Sequence, residues 1–219
     1  METSQGVEFD ALTTSGEAEA QITDDVGDGR ELGAEGALVL HEDQVAARRD
    51  VRARRPEAGR ALVEALSGEL RARVVFAESV AEAVRDAAVI CTATSAREPI
   101  LLGETLEPGV HVNAVGSFRP EMQEFDAGLI SRAHVFIDSV EACLEEAGEL
   151  IAALADGVTT RDSWTELGAV LEGAASGRSS PEEITLFKSV GLAAQDACAA
   201  GAALEAAVAT GLGQVVDFS

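Results

Sequence analysis

Residues 88–94 (AVICTAT) form an unbroken run of apolar and small side chains of strand length. Such a run suits a strand covered on both faces, which in practice means the middle of a parallel sheet. Further strand candidates lie at 51–54, 73–77 (RVVFA), 110–115 and 134–138 (HVFID). Helical signals lie between several of them. Residues 57–66 (EAGRALVEAL) put Ala61, Leu62, Ala65 and Leu66 on one helical face, with Pro56 in the first turn. Ser79 caps a predicted helix over 80–86, with Glu82 at capping-box spacing, and 125–132 is predicted helical. Strands separated by short helices indicate βαβ units with right-handed crossovers. The predicted fold class is therefore α/β, a Rossmann-like parallel sheet flanked by helices.

Past Asp138 the pattern turns helical. Residues 140–155 are acidic and amphipathic, and 163–173 form a second helix ending in Gly. Ser180 followed by Pro181 reads as a cap with Pro at the first position. Residues 192–210 are rich in Ala, suited to close packing against a neighbouring helix. The first 45 residues differ: they hold twelve acids, one base (Arg30) and almost no aromatic residues. Their low hydrophobicity cannot offset an ordering entropy of roughly 1–2 kcal/mol per residue. Residues 1–45 are thus expected to be mostly disordered, with a short strand at 37–40 (ALVL). Residues 46–150 are expected to form the Rossmann-type body, and 151–219 a helical segment that completes it.

Charge narrows the partners. The 219 residues carry 39 acids and 16 bases, a formal net charge of −23. Nucleic-acid binding needs clustered Lys and Arg to displace counterions, so it is not expected. No apolar run is long enough to span a bilayer, and the first residues do not read as a secretory signal. Cys91, Cys143 and Cys198 are too few for a disulfide framework in a chain of this length. A cytoplasmic protein without a metal site is expected. Lys188 is the sole lysine among the bases. Acids in place of surface Lys suit a high-salt cytoplasm, where salt screens carboxylate repulsion. A GC-rich genome would favour Arg, Ala and Gly codons without that purpose, but it does not account for the excess of acids.

Three strand exits carry polar groups. The run at 88–94 delivers Thr92, Thr94 and Ser95, the next ends in Asn113-Ala114-Val115-Gly116-Ser117-Phe118-Arg119-Pro120, and a third ends in Ile137-Asp138-Ser139. Ligands of open parallel sheets sit beyond the carboxyl ends of strands, so hydroxyls there are candidate partners of ribose or phosphate. Each exit taken alone reads equally well as turn chemistry. Three at successive strand ends describe a crevice.

The stretches 92–101 (TATSAREPIL) and 108–120 (PGVHVNAVGSFRP) resemble the ornithine cyclodeaminase/mu-crystallin family, as do 135–139 (VFIDS), 165–168 (TELG) and 184–193 (ITLFKSVGLA). The resemblance covers about residues 51–205 and is nearest to the alanine dehydrogenase and ketimine reductase members. It implies a nicotinamide dinucleotide, NADP or NAD, beside a small amino or imino acid, with hydride transferred at the carbon bearing nitrogen. By position it implies that Thr92, Thr94, Ser95 and Val115 line the dinucleotide, with Arg54 and Arg55 beside the adenosine ribose. Phe187 and Ser189 match positions near the nicotinamide, and Val190 one that touches substrate. Phe187 by itself reads as a core aromatic. No catalytic residue is assigned.

The departures matter as much. The family's first strand leads into a Gly-x-Gly-x-x-Ala turn whose amides hold pyrophosphate at a helix N-terminus. The nearest match, Gly33-Ala34-Glu35-Gly36-Ala37, puts a carboxylate where phosphate should sit. Too few residues separate it from Val51 for a full helix. The substrate-gripping bases and the acid–base lysine of the family are missing, and Lys188 belongs to another motif. The chain therefore reads as an N-terminally truncated or frame-disrupted member, with a residual Rossmann domain that at most binds dinucleotide or dimerises as the alternative to an enzyme. Cyclodeaminase members place a proton-handling aspartate where this chain has Phe118, which can neither accept nor deliver a proton, so ornithine cyclisation is not expected.

With twelve acids and one base set apart in residues 1–45, the body at 46–219 keeps 27 acids against 15 bases. Molar salt shortens the Debye length to about 3 Å and relieves carboxylate repulsion. The melting temperature should rise clearly between dilute buffer and molar salt. An unchanged or lower value would remove the halophilic reading.

Overall fold

The computed structural model describes the backbone of residues 7–9, 20–22 and 36–41, together with residues 48–214 apart from Arg71, and Val216. Most of the segment expected to be disordered lies outside the described residues. Met1–Gly33 form a unit of their own, in which β1 (Val7–Phe9) pairs antiparallel with β2 (Ala20–Ile22).

The second unit, Ala34–Ser219, holds an eight-stranded sheet. Its first strand is β3 (Gly36–His41), which covers the short strand expected at 37–40. Next come β4 (Arg48–Ala53), α1 (Pro56–Glu69), β5 (Arg73–Phe76), α2 (Val80–Ala83), β6 (Val89–Ala93) and β7 (His111–Ala114). Pro56 opens α1, and Ser79 caps α2 by accepting the Glu82 amide at 3.1 Å. Then follow α3 (Ala127–Arg132), β8 (His134–Ile137), α4 (Val140–Glu146) and α5 (Gly148–Ala155). The chain continues through β9 (Thr165–Glu166), α6 (Leu167–Leu171), β10 (Thr185–Lys188) and α7 (Ala193–Thr210).

The strand order is β5-β4-β3-β6-β7-β10-β8-β9, and every pair that does not involve β3 is parallel. β3 runs antiparallel to both β4 and β6. Only six residues separate it from β4, enough for a hairpin and too few for a helical crossover. Its first residue, Gly36, lies opposite Ala53 and Ala93 at the carboxyl ends of its neighbours. The central strand therefore starts at the edge where its neighbours end.

Three features differ from the helical reading of the chain past Asp138, the first being that residues 165–166, expected within a helix over 163–173, form β9, with only Leu167–Leu171 helical. Residues 185–188 (TLFK) form β10, inserted between β7 and β8, and the proposed cap at Ser180 leads only into a turn. The single helix expected over 140–155 breaks at Ala147 into α4 and α5. Gly148 lies so close to the carbonyls of Met122 and Pro120 that an added Cβ would sit 2.2 and 2.6 Å from them.

One sheet face packs Ile90, Val112, Leu186, Val135 and Ile137 against Leu129, Ile130, Leu150 and Trp164. The opposite face shows Cys91, His111, Asn113 and Phe187 half-buried. α7, expected to pack against a helix, has no buried residue, and its Leu204 and Val208 are exposed.

Candidate functional site

Because every strand but β3 in the second unit runs the same way, the exits of β4, β6, β7, β8 and β10 share one edge. Arg54 and Arg55 follow β4 there, both exposed. Thr94 and Ser95 follow β6, Val115 follows β7 and stands exposed, and Ser189 and Val190 follow β10. Phe187 lies inside β10, in register with Asn113 and Phe136, on the half-buried face. Thr92 is buried within β6, so its hydroxyl faces the protein interior.

Buried charges tie these exits together. Glu124 is fully buried and accepts the Thr92 hydroxyl at 2.8 Å, the Thr94 amide at 2.6 Å and the Gly116 amide at 2.9 Å. One carboxylate thus joins the exits of β6 and β7. They approach so closely that a Cβ on Gly116 would fall 2.1 Å from the Thr94 nitrogen. Glu149, at the start of α5, accepts the Ser117 hydroxyl at 2.5 Å and the Glu124 amide at 2.6 Å. Its second oxygen is buried with no hydrogen-bond partner among the described residues. Burial pushes the Glu149 carboxyl above the ordinary range, against the pull of the Lys188 ammonium.

Lys188 closes the set. It has no exposed surface, and its ammonium donates to the carbonyls of Ser117, of Ser189 at 3.1 Å and of Ala114 at 3.4 Å. Burial lowers its pKa, while Glu149, Glu124, Cys143 and Asp138 pull the other way. Asp138, at the exit of β8, accepts the Ser189 hydroxyl at 2.9 Å and the amides of Val190 at 2.8 Å and Gly191 at 2.9 Å. It also accepts its neighbour Ser139's amide at 2.9 Å. The Cys143 thiol, pushed up to about 12 by burial and by the Asp138 charge, points at the same carboxylate.

Sequence reasoning placed Thr94, Ser95 and Val115 at strand exits, and the structure has them on one edge; Ser189, assigned only through the family resemblance, follows β10 on the same edge. The sequence reading missed Glu124 and Glu149, which stand among ordinary surface-type acids in the sequence. Lys188 did leave a signal. In the alternation of TLFK it shares a face with Leu186, and a lysine there must be buried. That signal needed β10 to be recognised as a strand.

An open, mostly parallel sheet with polar groups gathered at its carboxyl edge defines the Rossmann-like class. The profile of the ornithine cyclodeaminase/mu-crystallin family matches residues 26–211, and the chain belongs to that family. A Delta(1)-pyrroline-2-carboxylate reductase of Bacillus cereus is 45% identical over 139 residues, 63% of this chain and 42% of that protein. The structure of Thermococcus litoralis Delta(1)-pyrroline-2-carboxylate reductase, a complex with NADH and L-proline, superposes with a TM-score of 0.73 at 34% identity. The match covers 77% of this chain and 53% of that one. An archaeal alanine dehydrogenase dimer with bound NAD gives 0.69 at 30% identity, covering 78% of this chain and 52% of its own. The chain thus spans about half the length of these relatives.

A dinucleotide meets a mixed fit. The exits of β4, β6, β7 and β10 bring Arg54 and Arg55, Thr94 and Ser95, Val115, and Ser189 to one edge. At β3 the fit fails. The backbone enters there at Gly36 instead of leaving, so no strand-to-helix turn presents amides to a pyrophosphate at that point.

Burial raises the Asp138 carboxyl, but the bonds from Ser189, Val190, Gly191 and Ser139 outweigh it and leave the pKa below the ordinary 3.8. The stability these bonds give is complete above 3.8 and is lost as pH falls through the lower folded value. Asp138→Asn should cost about 1 kcal/mol at neutral pH, the low end for bonds to a charged group because the site is only half-buried. The gap between variant and parent should narrow below pH 3.8, as read by urea unfolding at several pH values. A gap independent of pH would show that the carboxylate does not hold the β10 exit.

Proposed function

We propose that this chain supplies the cofactor side of an NAD(P)-dependent oxidoreductase of amino- or imino-acid metabolism, acting on a small cyclic or open-chain imino acid or its amino-acid product. The observation that carries this reading is the set of strand exits locked together by Glu124, Glu149, Lys188 and Asp138. It agrees with the names of the relatives, which reduce an imine or oxidise an amino acid. Thr94, Ser95 and Val115 would face the dinucleotide, with Thr92 supporting them from below through Glu124. Ser189 and Phe187 would lie toward the nicotinamide and Val190 toward substrate. Residues 46–150 and 151–219 would act as one cofactor body, with 1–45 as an acidic extension. The match covers 42% of the Bacillus cereus reductase, and this chain alone is expected to be inactive. Phe118 keeps ornithine cyclisation out of the proposal. A cytoplasmic, salt-adapted protein and a homodimer belong to the same proposal.

A second reading is favoured by one observation, the reversed β3. On that reading the chain is a residual Rossmann domain that binds dinucleotide poorly or not at all and has no catalysis.

The exit of β4 carries Arg54 and Arg55 with no acid at its tip, and arginine suits the extra phosphate of NADP. Titration followed by nicotinamide fluorescence should show NADPH binding more tightly than NADH, with the preference lost in Arg54→Ala. Tighter NADH binding would refute the preference. No binding of either dinucleotide would decide for the residual domain.

A further inference from the structure

At the edge opposite the strand exits, two histidines flank the head of β10. His111 opens β7 and His134 opens β8, and Thr185, the first residue of β10, lies in register with both. Thr185 is buried, and the two histidines are half-buried. Arg178, exposed in the segment before β10, donates to the carbonyls of Gly109 at 2.8 Å and of Glu183. It thereby clips the turn before β7 to the one before β10, and the Gly109 amide adds a bond to the Glu182 carbonyl at 2.9 Å.

The hydrogen bonds around His111 run in one direction. The Arg178 guanidinium can only donate, and it gives a proton to the Thr185 hydroxyl at 2.8 Å. The Thr185 oxygen lies 2.7 Å from Nδ1 of His111, and Nε2 of the same ring lies 3.2 Å from Oδ1 of Asn113. The Asn113 amide nitrogen donates to the Cys91 sulfur at 3.8 Å. Because the Asn113 oxygen can only accept, Nε2 carries the ring proton, and Nδ1 is left to accept the proton of the Thr185 hydroxyl. A relay from Arg178 to Cys91 thus crosses β10, β7 and β6. It is complete only while His111 is neutral.

A second ring proton, on Nδ1, breaks that order. The Thr185 oxygen would face two donors, its own proton would lose its acceptor, and a positive ring would stand one hydroxyl away from the Arg178 guanidinium. Among the described residues, the other charged or titratable groups nearby do not offset this. Arg49 on β4 acts on Cys91, the Cys91 thiol is kept neutral because burial raises its pKa, and Glu183 is turned to Nδ1 of His134 at 3.4 Å. Burial, aided by the Arg178 charge, holds His111 below the ordinary 6.5 against the pull of the Asn113 bond. His134 gains Glu183 as an ion-pair partner when protonated, so the two rings answer acid in opposite senses.

We propose that His111 is an acid-sensitive latch on the head of β10: neutral, it seats the strand through Thr185 and Arg178, and protonated, it releases them. β10 is only four residues long, so its head and its exit move as one piece. Release at Thr185 therefore loosens Lys188, Ser189 and Val190 at the crevice, whether or not a dinucleotide binds there. Stability is whole above 6.5, declines as pH falls because the unfolded chain takes the proton first, and levels off beneath the lower folded value.

The test is made by NMR on the full chain without dinucleotide. At about pH 7.5 the labelled His111 ring should show Nε2 protonated and Nδ1 bare. The Thr185 amide donates to the Val110 carbonyl at 3.1 Å and reports on the head of β10. As pH is lowered to about 5, its protection, corrected for intrinsic exchange, should fall in step with the His111 titration, by up to about tenfold per unit. His111→Gln should abolish the fall, Arg178→Met should move the His111 midpoint up toward 6.5, and His134→Gln should leave the fall in place or deepen it. A protonated Nδ1 at neutral pH, or protection that stays constant while His111 titrates, would overturn the proposal. So would the same fall in His111→Gln, or an unmoved midpoint in Arg178→Met.

Discussion

The Lys188 ammonium, sealed from solvent, holds three carbonyls from the exits of β7 and β10, and the candidate site depends on that arrangement. A buried ammonium is tolerable only with hydrogen bonds to its protons and opposite charge nearby, and Glu149, Glu124 and Asp138 supply the charge. Those carboxylates in turn accept backbone amides from the loops after β6, β7 and β10. Each loop is therefore fixed by a charged group belonging to another part of the chain. Loops that end strands are ordinarily the mobile part of such a fold. Here the polar network makes them extensions of the sheet, which is what a site needs to hold a ligand in one geometry.

The same edge contains the feature that sets this chain apart from a standard dinucleotide fold. A parallel first strand would deliver a glycine turn and a helix N-terminus to the middle of the edge. β3 fills the central slot in reverse because six residues cannot carry a crossover helix. Backbone pairing with β4 and β6 is satisfied in either direction, so the sheet closes around a strand of the wrong polarity. The exits of β6, β7 and β10 are tied to one another by Glu124, Lys188 and Asp138 without any contribution from β3. That separation is why the two sides of the crevice differ so much in what they offer a cofactor.

The sheet was largely legible in the sequence, because β6 and β8 are apolar runs and α1 carries a clean helical stripe. β10 was not, since four residues containing a lysine look like neither a buried strand nor a helix. Its identity depends on a tertiary fact, the slot between β7 and β8 and the carbonyls waiting for the ammonium. The helix expected over 140–155 broke because Gly148 had to fit beneath the carbonyls of Met122 and Pro120, a contact set by the loop after β7. At the site, exit hydroxyls such as Thr94 and Ser95 could be placed from strand ends alone. Glu124 and Glu149 could not, because an acid that binds buried amides is spelled the same way as an acid facing water.

The central claim is that buried charges, not the loops' own turn chemistry, fix the strand exits. Amide hydrogen exchange tests it most directly, because Thr94, Gly116 and Val190 lie outside the strands yet donate to Glu124 or Asp138. The account predicts that these three amides exchange as slowly as those within β6 and β7, opening only with the surrounding structure. Exchange at the rates of open loops, while the sheet amides stay protected, would contradict it.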